Sequence, residues 1–149
     1  MKFTYVSSKL TTLFLTLAIV SCSKNKPEPS IGAQVSGSYT LIKILFGPLG
    51  VDYPFSEPGT GNKTAGKVEI SKVTDDKVST TLIFIETDKT GKVTEKKINL
   101  GEVGLQKATT GEIEAYNGMT KIGTYSNGTL ILSVYDPTLG PLIITGKKN

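Results

Sequence analysis

From Lys67 to the C-terminus the chain is cut into short runs whose apolar residues recur at every second position. Val68 and Ile70 share one side against Glu69 and Ser71, and Leu130, Leu132 and Val134 alternate with Ile131, Ser133 and Tyr135. A period of two belongs to a strand with one face buried, because successive Cβ atoms point to opposite sides of a sheet. Each run ends on a turn signal: Thr74-Asp75-Asp76-Lys77, Asp88 to Lys92 around Gly91, Asn117-Gly118, and Ser126-Asn127-Gly128. Glycine and Asn-Gly supply the positive φ that tight hairpins require. Connections this short cannot make parallel crossovers, so the strands must run antiparallel to their neighbours.

The same reading places strands at 37–46, 67–74, 78–87, 93–100, 112–116, 119–125, 129–135 and 142–145. In 78–87, Val78, Leu82 and Phe84 lie on one face and Ile83 and Ile85 on the other, so both faces are expected to be covered. The run 93–100 carries Glu95, Lys96 and Lys97 and reads as an edge or exposed strand. Gly101 to Thr110 is the one stretch that could hold a turn or two of helix. Successive hairpins favour an all-β, antiparallel up-and-down barrel of about eight strands, because curling the sheet shut removes its exposed edges. The alternative is a β-sandwich. The barrel domain is assigned to residues 35–149.

Composition excludes several kinds of chemistry. Among the 149 residues there is no His, Arg or Trp, and Cys22 is the single cysteine. A Ser-His-Asp or Cys-His centre is therefore ruled out, as are an imidazole metal ligand and an intramolecular disulfide. Bidentate guanidinium recognition of phosphate is ruled out as well. The net charge of +4 falls further once a leader carrying Lys2 and Lys9 is removed, and both signs are interspersed along the chain. That pattern is a solvated surface rather than the basic patch of a nucleic-acid binder. No Gly-x-Gly-x-x-Gly, phosphate-binding loop or Gly-x-Ser-x-Gly occurs, and no cofactor is expected.

Two lysines precede a largely apolar run from Leu10 to Val20, followed by Ser21-Cys22. As a helix that run spans about 16 Å, short of the roughly 30 Å of a bilayer core, so it reads as a signal peptide rather than an anchor. Leu17-Ala18-Ile19-Val20-Ser21-Cys22 resembles the lipobox of bacterial lipoproteins, with an aliphatic residue three before the Cys and a small residue just before it. The resemblance implies cleavage of residues 1–21, diacylglycerol on the Cys22 sulfur and acylation of its new amine, which together anchor a chain stably to a membrane. Residues 22–34 contain Ser23-Lys24-Asn25-Lys26-Pro27-Glu28-Pro29-Ser30, too polar to bury, and are expected to form a flexible tether. Ser23 stands where an Asp would favour inner-membrane retention, so the resemblance implies the outer membrane. The Lys-only basic content and Thr/Gly-rich mature chain are similar to those of small Bacteroidota lipoproteins.

Gly37-Ser38-Tyr39 at the start of the first strand resembles the Gly-x-Trp of lipocalin-like barrels, and Gly123 to Leu130 resembles the strand–turn–strand units of lipocalin-like lipoproteins. Tyr39 replaces the Trp, and a chain without Arg has no counterpart of the family's late Arg that caps it. The resemblance implies a non-enzymatic protein that binds a small apolar ligand. The alternative is a structural or protein-interaction module of the envelope with a filled barrel.

The segment 47–63 holds three prolines, four glycines and four sizeable apolar residues. A connection of that length is usually functional. Tyr53, Phe55 and, at the end of the preceding strand, Phe46 are the candidate ligand-binding residues, with Tyr53 and Phe55 as a lid or else as core that plugs the barrel. Asp75-Asp76 lie in a turn that uses them for local hydrogen bonds. Glu112 and Glu114 share one face of a short strand and read as solubilising charge.

Overall fold

The computed structural model describes residues 27–138 and 140–149. The lipobox, Cys22 and the first part of the tether lie outside the described residues, as does Leu139. After a short helix α1 (Ile31–Val35) come β1 (Gly37–Phe46), β2 (Leu49–Asp52), β3 (Phe55–Ser56), β4 (Lys63–Lys72) and β5 (Lys77–Thr87). These are followed by β6 (Val93–Lys107), β7 (Ile113–Asn117), β8 (Thr120–Ser126), β9 (Thr129–Asp136) and β10 (Gly140–Lys148). All belong to one sheet, not to the two of a sandwich. β1 pairs antiparallel with both β10 and β4, so β1 and β4–β10 close into an eight-stranded antiparallel barrel.

The pleat sorts the side chains as the alternation requires. Tyr39, Leu41 and Ile44 of β1 meet Val68 and Ile70 of β4, Val78 and Leu82 of β5, Val103 and Leu105 of β6, Leu130 and Leu132 of β9 and Ile144 of β10. Ile83, on the other face of β5, is also buried, flanked in register by Lys67 and Lys97. The void left inside this core is about 10 Å³, no more than a single water needs. Its lining includes Thr80, whose Oγ1 is buried with no hydrogen-bond partner among the described residues.

Two expectations are corrected. The stretch 101–107 is strand, not helix: a bulge opposite Thr80/Thr81 absorbs Leu100 beside Gly101 at φ +90°, and β6 runs on to Lys107. The segment 47–63 is not all loop, since β2 pairs with the end of β1 and β3 with the start of β4. They fill the wedge where β1 and β4 part beyond Thr40 and Lys67.

One end of the barrel is shut. α1 lies in the stretch read from the sequence as tether; Ser30 caps it by accepting from the Ala33 N–H at 3.4 Å. The Gly32 N–H donates to the Asp75 carbonyl in the β4–β5 turn at 2.7 Å. A Cβ on Gly32 would sit 2.5 Å from the Thr74 carbonyl oxygen, so only glycine allows this approach. Val35 is buried beneath the helix, and the Tyr39 hydroxyl donates to its carbonyl. Lys148 Nζ donates to the Gln34 carbonyl at 2.8 Å and stands 5.8 Å and 5.6 Å from the ring centres of Tyr39 and Tyr125. Those rings meet edge to face at 6.0 Å. Lys148 of the last strand thus stands over the Tyr39 ring as a cation.

Candidate functional site

The opposite end of the barrel is built from strands of unequal length. β7 meets β6 only from Gly104 to Lys107, because the β7–β8 hairpin closes early at Asn117-Gly118. β6 itself pairs with β5 from Val93 to Gly104. Among the described residues, β6 thus has a strand neighbour on one side only over Val93–Val103, the edge position its charged sequence suggests. Across the opening, β8 pairs with β9 only up to Leu132, which leaves Ser133–Asp136 bonded to β10 alone.

The low wall above the β7–β8 hairpin opens a cavity of about 650 Å³. Its floor is apolar, with Leu82, Ile122, Val134, Leu142 and Ile144, and continues along β6 through Ile98, Leu100 and Val103. Asn99, Asn117 and Ser133 add amide and hydroxyl groups. The charged side chains of the lining, Glu102 and Asp136, are both acidic. Glu102 lies 3.6 Å from Lys77 Nζ, and the Asp136 carboxylate accepts from the Thr138 N–H at 2.8 Å. Tyr135, 77% exposed, stands on the rim. The volume falls in the range of small-ligand pockets, about 300–1,000 Å³, and the mouth of a barrel is a usual place for one. The closed barrel can therefore enclose a cavity for a small ligand.

The residues singled out from the sequence lie elsewhere. Tyr53 sits in the β1–β4 wedge, where its N–H donates to the Ile42 carbonyl at 2.7 Å. Its ring packs 5.4 Å from Phe55 and 5.9 Å from Phe84, and burial pushes its phenol pKa up. Tyr53 and Phe46 are half-buried against the core, while Phe55 is 36% exposed. Structure thus brings Tyr53 and Phe55 together but sets neither of them, nor Phe46, in the lining of the cavity. Cys22 lies outside the described residues.

The paired acids are held by local partners. Asp75 forms an ion pair with Lys72 at 2.6 Å, and Asp76 accepts from Thr74 Oγ1 at 2.7 Å. Glu114 is bound by Lys121 and by the Tyr116 hydroxyl, and these bonds hold its carboxyl below the usual range. Among the described residues no group of three or more His, Cys, Asp or Glu side chains is placed to hold a metal ion.

Sequence reasoning did not find the cavity. The available signal was a mismatch in length: a short run ending at Asn117-Gly118 follows a long charged one. Two antiparallel neighbours of such different length must leave an edge uncovered.

No family model and no curated protein matches the chain. Among solved structures it is similar to a de novo designed fluorescence-activating β-barrel, at 10% identity and with a TM-score of 0.39. That likeness covers 80% of this chain and 98% of the designed one.

Proposed function

We propose that the protein is a non-enzymatic, lipid-anchored lipoprotein of the outer membrane, and that its filled, lipocalin-like barrel works as a protein-interaction module of the cell envelope. The observation that carries this reading is the opposition of the two ends. The chain enters the barrel at the shut end, where Pro27–Ser30 lead into α1. The cavity lies at the other end, beside the β9–β10 connection. β9 runs from Thr129 at the shut end to Asp136 at the cavity, about 26 Å of strand at roughly 3.3 Å per residue. A tether at Cys22 would turn the shut end toward the bilayer and present the open end outward. The Lys148 cap over Tyr39 supports the lipocalin-like comparison.

A second reading is favoured by the apolar floor of the cavity: there, rather than behind Tyr53, Phe55 and Phe46, a small apolar ligand would lie. Two measurements test these readings. Radiolabelled palmitate should enter the wild-type chain, and Cys22→Ser should abolish the label and release the protein from the membrane fraction. Unchanged labelling of the Cys22→Ser protein defeats the anchor. Native mass spectrometry of the purified chain after exposure to mixed lipids decides between the occupants. A clean protein mass favours the interaction module, and a stoichiometric adduct lost in Leu142→Lys favours the ligand.

A further inference from the structure

The free edge of β6 and the cavity beside it form one composite surface. Backbone groups of Ile98–Val103 that face away from β5 have no strand partner among the described residues; the Gly101 N–H donates to Asn99 Oδ1 at 2.8 Å within the bulge. The same residues, Gly101 excepted, line the cavity. Unpaired main chain next to an apolar recess is the arrangement that receives an added strand: the main chain supplies hydrogen bonds and the recess takes alternate side chains. Exposed edges are ordinarily blunted by lysine. Lys96 and Lys97 do this for the upper part of β6; from Ile98 to Val103 there is no lysine, and the edge is interrupted only by Glu102 and the bulge at Leu100–Gly101.

We infer that Ile98–Val103 of β6 binds an extended segment of a partner protein as an added β-strand, one that places a large apolar side chain in the cavity and a Lys or Arg beside Glu102. This rests on the interaction-module reading. A second copy of the chain is the poorer occupant. Antiparallel self-pairing centred on Ile98–Val103 would set Asn99, not a basic residue, opposite Glu102. The acidic signs of Glu102 and Asp136 favour a basic segment instead. Tyr135 and Ile98, on opposite sides of the opening, offer the apolar rim against which the incoming strand would close.

The test uses the full chain in mild detergent as bait for a phage library of random dodecapeptides. The enriched sequence is then synthesised with backbone N-methyl groups at even or at odd positions. An added strand directs alternate N–H groups toward β6, so one set of N-methylations should weaken binding at least tenfold and the other should not. Hydrogen exchange at 98–103 should slow on binding, and Ile98→Lys should weaken binding without changing the melting temperature of the free protein. If both N-methylated sets bind equally, or protection falls away from β6, the added strand is overturned while an interaction module remains. If no peptide is enriched, the interaction reading itself fails.

Discussion

The two ends of this barrel are made from the same strands and differ in what finishes them. At the shut end, α1, Tyr39, Tyr125 and Lys148 close the gap with a helix, an aromatic pair and a cation. At the open end, β6 outruns β7 and the sheet leaves both an uncovered edge and a cavity. The barrel thus packs one end shut and leaves a cavity and an uncovered strand edge at the other. The contrast predicts that equal truncations at the two ends have unequal costs.

The largest difference is expected between two tyrosines. Tyr39 is fully buried and its hydroxyl is used, whereas Tyr135 is 77% exposed. Tyr39→Ala should cost about 3–5 kcal/mol in chemical denaturation, through the cavity and the lost transfer energy. Tyr135→Ala should stay within about 0.5 kcal/mol, as surface changes do. Equal costs would dissolve the distinction between the ends.

A smaller loss is expected where the cap docks. Gly32→Ala drives a Cβ into the Thr74 carbonyl and must push α1 off the β4–β5 turn. About 1–3 kcal/mol is the usual cost of such overpacking. The exchange of the Gly32 and Ser36 amides should quicken while that of the β9–β10 amides keeps its wild-type order. Unaltered exchange at α1 would mean that the helix is not held by this contact.

Thr80 gives a change of the opposite sign. Its buried hydroxyl has no partner among the described residues, so Thr80→Val replaces an unsatisfied group by a methyl of the same shape. A gain of up to about 1 kcal/mol in denaturation free energy is expected. A loss would mean that the hydroxyl is satisfied by water in the small void.

How much of this contrast the sequence carried depends on the range over which each feature is encoded. Strands and hairpins are local: Val68 and Ile70 alternate, and Asn117-Gly118 turns, whatever the rest of the chain does. Barrel closure was inferred from edge avoidance, and the β1–β4 pairing supplies it. The Lys148 cap was not legible, because nothing near Lys148 marks it as the partner of a tyrosine more than a hundred positions earlier. The cavity was missed for a similar reason. It is made by the middle of β6 and the ends of β9 and β10, and it opens because the β7–β8 hairpin closes early at Asn117-Gly118, whose height against β6 no local pattern fixes. The wedge is more legible: Tyr53 and Phe55 stand out in an unusual loop and do pack together, although away from the cavity.

The smallest predicted effect concerns pH, and it belongs to the shut end. Glu28 is held by Lys107 at 2.7 Å, with Gln34 as a second donor, and its carboxyl titrates below its ordinary 4.5. Asp75 is held first by Lys72, with Ser30 contributing, and titrates below its ordinary 3.8. A carboxylate whose pKa is lower in the folded than in the unfolded state stabilises the fold fully above the unfolded value. That contribution disappears as the pH falls through the folded one. Both groups are solvated, so the effect on global unfolding is small. Their position makes it local: Glu28 and Asp75 flank α1, so acidification below about 4.5 should loosen the cap before the barrel. Amide exchange at Gly32 and Ser36, corrected for its intrinsic pH dependence, should rise relative to β9–β10 across that window. The combined change Glu28→Gln and Asp75→Asn should flatten the rise. If the relative exchange of α1 holds level down to about pH 3, well below the unfolded values, these ion pairs have no part in closing this end, and the cap depends on the Gly32 contact and the Tyr39–Lys148 cluster alone.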